Sequence, residues 1–223
     1  MRLLLLFGML ALLVACTPDP CKQFSSDTDR QNCYADTAVS AHSLELCAQV
    51  TDQKFRDQCT AEIGIQTVNK SICASVVDDK RRNFCFAGVA QEQLAGNDCY
   101  DLTNSYWSDV CFKNIGIATN NIELCHEVDE GVDRNECYNK VAVNTTTESL
   151  CSFIDSAFEA QGCKFQVYTK VQNASGCLTI EDLGLRVTCI SRIAREQQNA
   201  TVCDLIKESE PKSFCVERAN ASS

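Results

Sequence analysis

The chain has 223 residues, a formal net charge of −10 at pH 7 and 17 cysteines. So many cysteines are unusual for a cytosolic protein of this size and favour an oxidising compartment outside the cytoplasm. The acidic balance argues against nucleic acid as a partner and against adsorption to anionic lipid headgroups.

The first residues have the layout of an export signal. A short basic start is followed by an apolar stretch at residues 3–14, and Leu-Val-Ala-Cys closes it at Cys16. This stretch is too short to span a bilayer, so we interpret residues 1–15 as a cleaved signal peptide. Leu-Val-Ala-Cys resembles the lipobox of prokaryotic lipoproteins, and the resemblance implies that Cys16 carries a lipid and residues 16–20 form a short tether. The alternative is ordinary secretion, with Cys16 removed or unpaired.

The other cysteines recur with gaps that alternate between 12 and 14 residues without exception. They are Cys21, Cys33, Cys47, Cys59, Cys73, Cys85, Cys99, Cys111, Cys125, Cys137, Cys151, Cys163, Cys177, Cys189, Cys203 and Cys215. The period is therefore 26 residues, which is typical of a solenoid or array. We expect one domain over residues 21–223, with repeats that start at residues 21, 47, 73, 99, 125, 151, 177 and 203.

Other positions of the repeat indicate two helices per unit. An apolar residue stands three residues after the first cysteine of every repeat, which places it beside the sulfur at helical spacing. Two residues further on stand types that favour the start of a helix: Ser26, Asp52, Asp78, Asn104, Glu130, Ser156, Asp182 and Glu208. A second set at one common phase predicts the start of the next short helix: Ser43, Asn69, Asn121, Thr147, Asn173 and Asn199.

The second helix of each repeat pairs a branched residue with a small one, as in Ile63-Gly64, and the small residue allows a neighbouring helix to approach closely. Each unit is predicted to hold a helix of about two turns, a tight turn and a helix of about four turns. This architecture resembles the tetratricopeptide class of helical hairpins over residues 21–223, in a shorter form. The tetratricopeptide Trp, Leu-Gly, Tyr and Pro signature is missing, so the resemblance implies no function. The fold class we expect is all-α, a right-handed α-solenoid of eight hairpins.

One disulfide per hairpin is expected, because a unit of this size buries too little apolar surface to be stable alone. The midpoint between Cys47 and Cys59 is Gln53, beside the proposed turn, so antiparallel helices bring these sulfurs together. Pairing at 12-residue spacing uses every repeat cysteine, whereas pairing at 14 leaves Cys21 and Cys215 alone. Closing such a loop is worth about 3 kcal/mol.

Metal binding is the alternative use of so many thiols. Thiolate sites normally place ligands two to four residues apart, but this chain has no Cys-x-x-Cys and two histidines, His42 and His126. We therefore predict no metal site and no cofactor. The histidines lie at different phases of the repeat and a Gly-rich phosphate loop is missing, so we predict no catalytic residue.

A basic residue recurs nine residues after the first cysteine, at Arg30, Arg56, Arg82, Arg134 and Arg186. Stacked repeats would align these arginines into a ladder suited to a repeating polyanion such as an envelope polysaccharide. Four of them also lie four residues after an acidic cap residue and can form ordinary i,i+4 ion pairs. We favour this structural interpretation, because the chain as a whole is acidic.

Repeat 4 carries extra aromatic residues, among them Tyr106 and Trp107. Both types are enriched in recognition surfaces, which makes the two residues candidates for binding. They can also cover a seam between repeats, and we favour this interpretation.

Five Asn-x-Ser/Thr sequences match the N-glycosylation acceptor. They begin at Asn69, Asn144, Asn173, Asn199 and Asn220. Three of the five coincide with the helix-capping phase, so capping explains much of the pattern.

These features predict an extracytoplasmic lipoprotein anchored to the cell membrane, on the periplasmic side or the outer surface. We expect a monomeric, non-catalytic helical-repeat scaffold that binds a protein, a peptide or a cell-wall polymer. A cysteine-rich metal-binding protein is one alternative. The other is an envelope enzyme or thiol redox carrier, which would need a cysteine pair of unusual exposure or lowered pKa.

Overall fold

A computed structural model of the chain describes residues 19–220. Within this range the chain forms sixteen helices and no strand, so the prediction of an all-α repeat protein is confirmed. The expected signal peptide and the expected lipidation site, Cys16, lie outside the described residues, as do residues 221–223. None of the helices in the described part is long and apolar enough to cross a membrane.

Each repeat contributes one long helix of 12–15 residues. In chain order they are Asp27–Ala41, Gln53–Gln66, Asp79–Gln93, Ser105–Thr119, Gly131–Thr145, Ala157–Lys170, Leu183–Glu196 and Ser209–Asn220. The predicted side-chain caps are present in the first seven repeats: Asp52, for example, accepts hydrogen bonds from the backbone N–H groups of Lys54 and Phe55 at 2.8 and 3.2 Å. The carboxylate and hydroxyl groups at this phase therefore start the long helices, as expected.

The short helices, which carry the first cysteines, are shorter than expected. They are Pro20–Gln23, Leu44–Cys47, Lys70–Cys73, Gly96–Asp101, Ile122–His126, Glu148–Phe153, Gly176–Thr179 and Ala200–Leu205. Five of these eight are 3-10 helices. In repeats 2–8 the expected two α-helical turns do not fit, because a left-handed residue precedes the short helix and extended backbone follows it within a few residues. Among the expected caps, Asn199 accepts from Thr201 N at 3.0 Å, whereas Thr147 caps its helix without a side-chain bond.

A left-handed residue follows each of the first seven long helices. These residues are His42, Val68, Leu94, Asn120, Thr146, Gln172 and Gln198, all with φ between 49° and 57°. The next N–H then bonds back across the helix end, as Asn69 N does to Gly64 O at 2.8 Å. This Schellman-type ending reverses the chain in every one of these repeats without a glycine.

Eight disulfides join the two cysteines of each repeat, with Cα atoms 5.4–5.8 Å apart. Each bond crosses from the short helix to the long helix of one hairpin. This arrangement confirms the expected pairing at 12-residue spacing and places most of the sulfur atoms in the core.

By their packing, the described residues form two compact units, one up to residue 85 and one from residue 86 onward. In the first unit, a cluster of Ala38, Cys47, Cys59 and Ile63 is buried between successive repeats. In the second unit, a cluster around Tyr168, Ile180, Ile190 and Ile193 joins the last repeats. Small residues allow this stacking: a Cβ atom on Gly64 would lie 2.7 Å from the sulfur of Cys85.

Candidate functional site

The five repeat arginines hold the turns of their own repeats. Arg56 donates from Nε to the backbone oxygen of Val50 at 2.9 Å, and Arg186 donates to that of Ile180 at 3.0 Å. Arg30, Arg82 and Arg134 make the same contact six residues back along the chain. The guanidinium thus satisfies a carbonyl that the end of the short helix leaves open.

Their ion pairs differ from the expected i,i+4 pattern. Arg30 bonds to Asp27, three residues earlier, at 2.7 Å, and Arg134 bonds to Asp155 in the next repeat at 2.9 Å. The acidic cap residues are already engaged, because their oxygens accept the N–H groups of the long helix. A role of the arginines in binding a polyanion stays a prediction.

A polar contact that links neighbouring repeats was not anticipated from the sequence. An oxygen-bearing side chain ten residues after the first cysteine makes this contact in repeats 1, 2, 4, 5 and 6: Gln31, Asp57, Asp109, Asn135 and Gln161. We call these the bridging residues. Asp109, for example, accepts the N–H groups of Asp129 and Glu130, in the next repeat, at 3.0 and 3.1 Å. The common phase of these residues was a signal that could have revealed the contact.

The two aromatic candidates of repeat 4 have different surroundings. Trp107 packs against the buried cluster around Phe112 and Ile115. Tyr106 stacks edge-to-face on Trp107, with ring centroids 5.0 Å apart, and its side chain is 61% exposed. Val132 and Phe158 repeat this position at 72% and 73% exposure, so apolar groups remain in solvent at one phase of three successive repeats.

The histidines contact neighbouring side chains rather than a metal ligand set. His42 Nε2 lies 3.1 Å from Gln66 Oε1, and His126 Nδ1 lies 2.7 Å from the hydroxyl of Tyr138. Burial raises the pKa of that hydroxyl. Groups of three or more metal-ligating side chains are absent from residues 19–220.

The sequon asparagines are solvent-exposed. Asn69 and Asn199 cap short helices through their side-chain oxygens, and Asn173 accepts from Gly176 N at 3.0 Å. Capping engages the side-chain oxygens, and glycan attachment at these asparagines stays a prediction.

A cavity of about 550 Å³ in the second unit lies between the long helices of repeats 7 and 8. We call it the arginine groove. Its wall includes Phe165, Phe214, Val187, Arg192, Arg195 and Arg218. Phe214 is 56% exposed, although it is a large apolar residue. The volume is in the range of ligand pockets, and the lining combines apolar walls with a few convergent polar groups.

Charge in the arginine groove is unusual for this acidic chain, since three arginines face one lining carboxylate, Glu210. Arg192 also donates from Nε to Glu196 at 2.8 Å. This hydrogen bond, together with one from Gln172, lowers the pKa of Glu196. Two further guanidinium groups, of Arg195 and Arg218, line the groove beside the Phe214 ring. Such an arrangement suits an anionic group attached to an apolar one.

A second groove on the long helices lies between repeats 5 and 6 and has a volume of about 330 Å³. Val132, Ile154 and Phe158 supply its apolar lining, and Glu136 and Glu159 make its edge acidic. Gly162 keeps the floor open, because a Cβ atom there would meet nothing within 4 Å.

Sequence reasoning did not find the arginine groove. Arg192 and Arg218 lie 26 residues apart at one phase of the repeat, and this coincidence was the available signal. Compared with family models, curated proteins and solved structures, the chain matches none of them.

Proposed function

We propose that this protein is an extracytoplasmic, lipid-anchored scaffold without catalytic activity that binds an acidic segment of a partner protein in the arginine groove. The observation that carries the proposal is the groove itself, in which Arg192, Arg195 and Arg218 lie beside Phe165 and Phe214. Guanidinium groups next to aromatic rings are enriched where proteins recognise one another. On a chain of net charge −10, this concentration of positive charge also disfavours nonspecific partners.

The many disulfides support a location outside the reducing cytoplasm. A disulfide in every hairpin also keeps the helices in place before a partner arrives. The groove therefore loses little conformational entropy when a partner binds, and a preformed groove binds more tightly than a flexible one for this reason.

Photocrosslinking in the native envelope tests the proposed groove. A benzophenone amino acid replaces Phe214, and a matched protein carries it at Phe24, an exposed phenylalanine of the first unit. We expect a crosslinked partner from position 214 alone, with the crosslink mapping to an acidic segment of that partner.

Charge reversal supplies the control for this experiment. Arg195→Glu with Arg218→Glu should abolish the crosslink, whereas Lys54→Glu with Lys80→Glu, an equal change of charge at exposed sites, should leave it. A crosslink that survives the arginine reversal, or one mapping to a basic segment, contradicts the proposal.

The lipid anchor is tested separately. Cells are fed an alkyne-tagged fatty acid, and we expect the tag on the native protein but not on Cys16→Ser. The variant should also leave the membrane fraction and be found in the soluble fraction. Equal labelling of both proteins would show that Cys16 is not the anchor.

A further inference from the structure

The bridging contact is interrupted in repeat 7. In repeats 2 and 4 the bridging residues are carboxylates, and each accepts two backbone N–H groups from the repeat that follows. In repeat 7 the same position holds Val187, which has no hydrogen-bonding atom in its side chain. The turn of repeat 8 therefore cannot be bridged in the same way.

The two N–H groups at this turn belong to Lys207 and Glu208, which occupy the positions of Asp129 and Glu130 three repeats earlier. Within residues 19–220, neither N–H has an acceptor at hydrogen-bonding distance. Backbone donors in folded proteins are nearly always paired, with protein, water or a ligand. The N–H groups of Lys207 and Glu208 are therefore available to an acceptor on a bound ligand.

A cavity of about 410 Å³ lies where the bridging side chain is missing. Val187, Lys207 and Glu208 line it, together with the apolar side chains of Leu178, Ile190 and Ile206. We call it the Val187 cavity. None of the three arginines of the arginine groove lines it, although Val187 lines both cavities.

The charges around the Val187 cavity favour an anion. Arg186 and Lys207 line it on the positive side, and Asp204 and Glu208 on the negative side. Asp204 is compensated outside the cavity, because Lys212 lies 2.9 Å from its carboxylate. Two cations and one uncompensated carboxylate remain.

We propose that the Val187 cavity binds a carboxylate attached to a small apolar group. The two carboxylate oxygens of the ligand accept from the N–H groups of Lys207 and Glu208. Asp57 and Asp109 do the same for the equivalent N–H groups of the repeats that follow them. The apolar part of the ligand lies against Leu178, Ile190 and Ile206. The ligand is either a free short-chain acid or the carboxyl terminus of a peptide, since both present the same group.

Amide NMR shifts of the oxidised protein test the site directly. On titration with isovalerate, the N–H resonances of Lys207 and Glu208 should move downfield and saturate, while those of Val77 and Asp78, which Asp57 already holds, should stay in place. Isovaleramide, of the same shape but uncharged, should have at least tenfold less effect. Equal shifts with the amide, or no saturable shift with the acid, would overturn the proposal.

Two substitutions test the site further: one should remove carboxylate binding and the other should create it at a second position. Val187→Asp places an internal carboxylate in the cavity, so the Lys207 and Glu208 resonances should lie downfield before any addition and ignore isovalerate. Asp109→Val should create the response at Asp129 and Glu130, where the native protein has none. If the Val187→Asp protein still responds like the native one, the carboxylate binds elsewhere and the proposal fails.

A second titration, with a dipeptide, distinguishes a free acid from the carboxyl terminus of a peptide. Acetyl-Ala-Val with a free carboxyl terminus is compared with isovalerate, and tighter binding of the dipeptide assigns the site to a peptide terminus, whereas tighter binding of isovalerate assigns it to a free acid. The Arg195→Glu, Arg218→Glu protein should keep the full response. Failure of the arginine groove and failure of the Val187 cavity are therefore separate results.

Discussion

The carboxylate of Asp57 accepts a hydrogen bond of 2.8 Å from the backbone N–H of Asp78, in the repeat that follows. Its other oxygen accepts from Val77 N at 3.2 Å, and the side chain is only 2% exposed. A charged acceptor that satisfies two otherwise open donors makes a stronger contact than a neutral pair. The stacking of repeats thus depends on a polar group as well as on the apolar core.

Asp57→Ala should lower the free energy of unfolding by about 3 kcal/mol, because it leaves two backbone donors without a partner. Asp57→Asn keeps one acceptor oxygen and should cost roughly half as much. The control is Asp36→Ala, an exposed carboxylate in the long helix of repeat 1. Guanidinium unfolding with disulfides intact measures the differences, and equal losses for Asp57→Ala and Asp36→Ala would contradict the bridging role.

Two glycine substitutions should change stability in opposite directions. Gly64→Ala places a methyl group 2.7 Å from the Cys85 sulfur, so we expect a loss of about 2 kcal/mol from overpacking. Gly162→Ala meets nothing within 4 Å and should stabilise its helix by about 1 kcal/mol through helix propensity. Thermal unfolding of the two variants is the measurement. A gain for Gly64→Ala would show that the repeats can move apart at no cost.

Val68 should be a destabilising residue in the native chain. It is β-branched and has a φ of 51°, a conformation that costs a side-chain-bearing residue about 1–2 kcal/mol. Val68→Gly should therefore raise the free energy of unfolding by about 1 kcal/mol. Val77→Gly, at an exposed valine outside the left-handed region, should lower it. Denaturant unfolding compares the two, and a loss for Val68→Gly would be the contrary result.

Reduction should begin at the first disulfide. Cys33 is half-buried, whereas the cysteines of the other seven pairs are all buried. A reducing thiolate must reach the sulfur that it attacks. With low dithiothreitol under native conditions, alkylation and mass spectrometry should find Cys21 and Cys33 labelled before any other pair. Simultaneous labelling of all pairs would indicate that reduction requires global unfolding.

Tyr34 should stabilise the start of repeat 1 in a pH-dependent way. Its hydroxyl donates to Asp19 Oδ2 at 2.7 Å, and this bond lowers the pKa of the Asp19 carboxyl. Because the folded pKa is depressed, the stabilisation is present above the ordinary carboxyl pKa and is lost as the pH falls through the folded value. Tyr34→Phe should move the pKa of Asp19 upward in an NMR titration. An unchanged pKa would exclude the hydrogen bond as its cause.

The sequence did not predict the arginine groove, because the residues that recur with the repeat period have structural roles and the groove residues do not recur with it. The arginine ladder stood out by its period, yet Arg56 and its equivalents hold backbone carbonyls within single repeats. Arg195 and Phe214 belong to no eightfold pattern, so nothing in the repeat marks them. Only the packing of two long helices brings their side chains to one groove.

The sequence by itself determined the period, the helical hairpin and the disulfide partners. These features are local: Cys47 and Cys59 lie across one turn of one hairpin, and Asp52 caps the helix that follows it. The tertiary structure decided which polar groups meet between repeats, such as Asp57 with Asp78, and where the pattern breaks at Val187. Contacts between residues some 20 positions apart depend on the angle and offset at which hairpins stack. The repeat period predicts that the hairpins stack, but it does not specify the angle and offset between them.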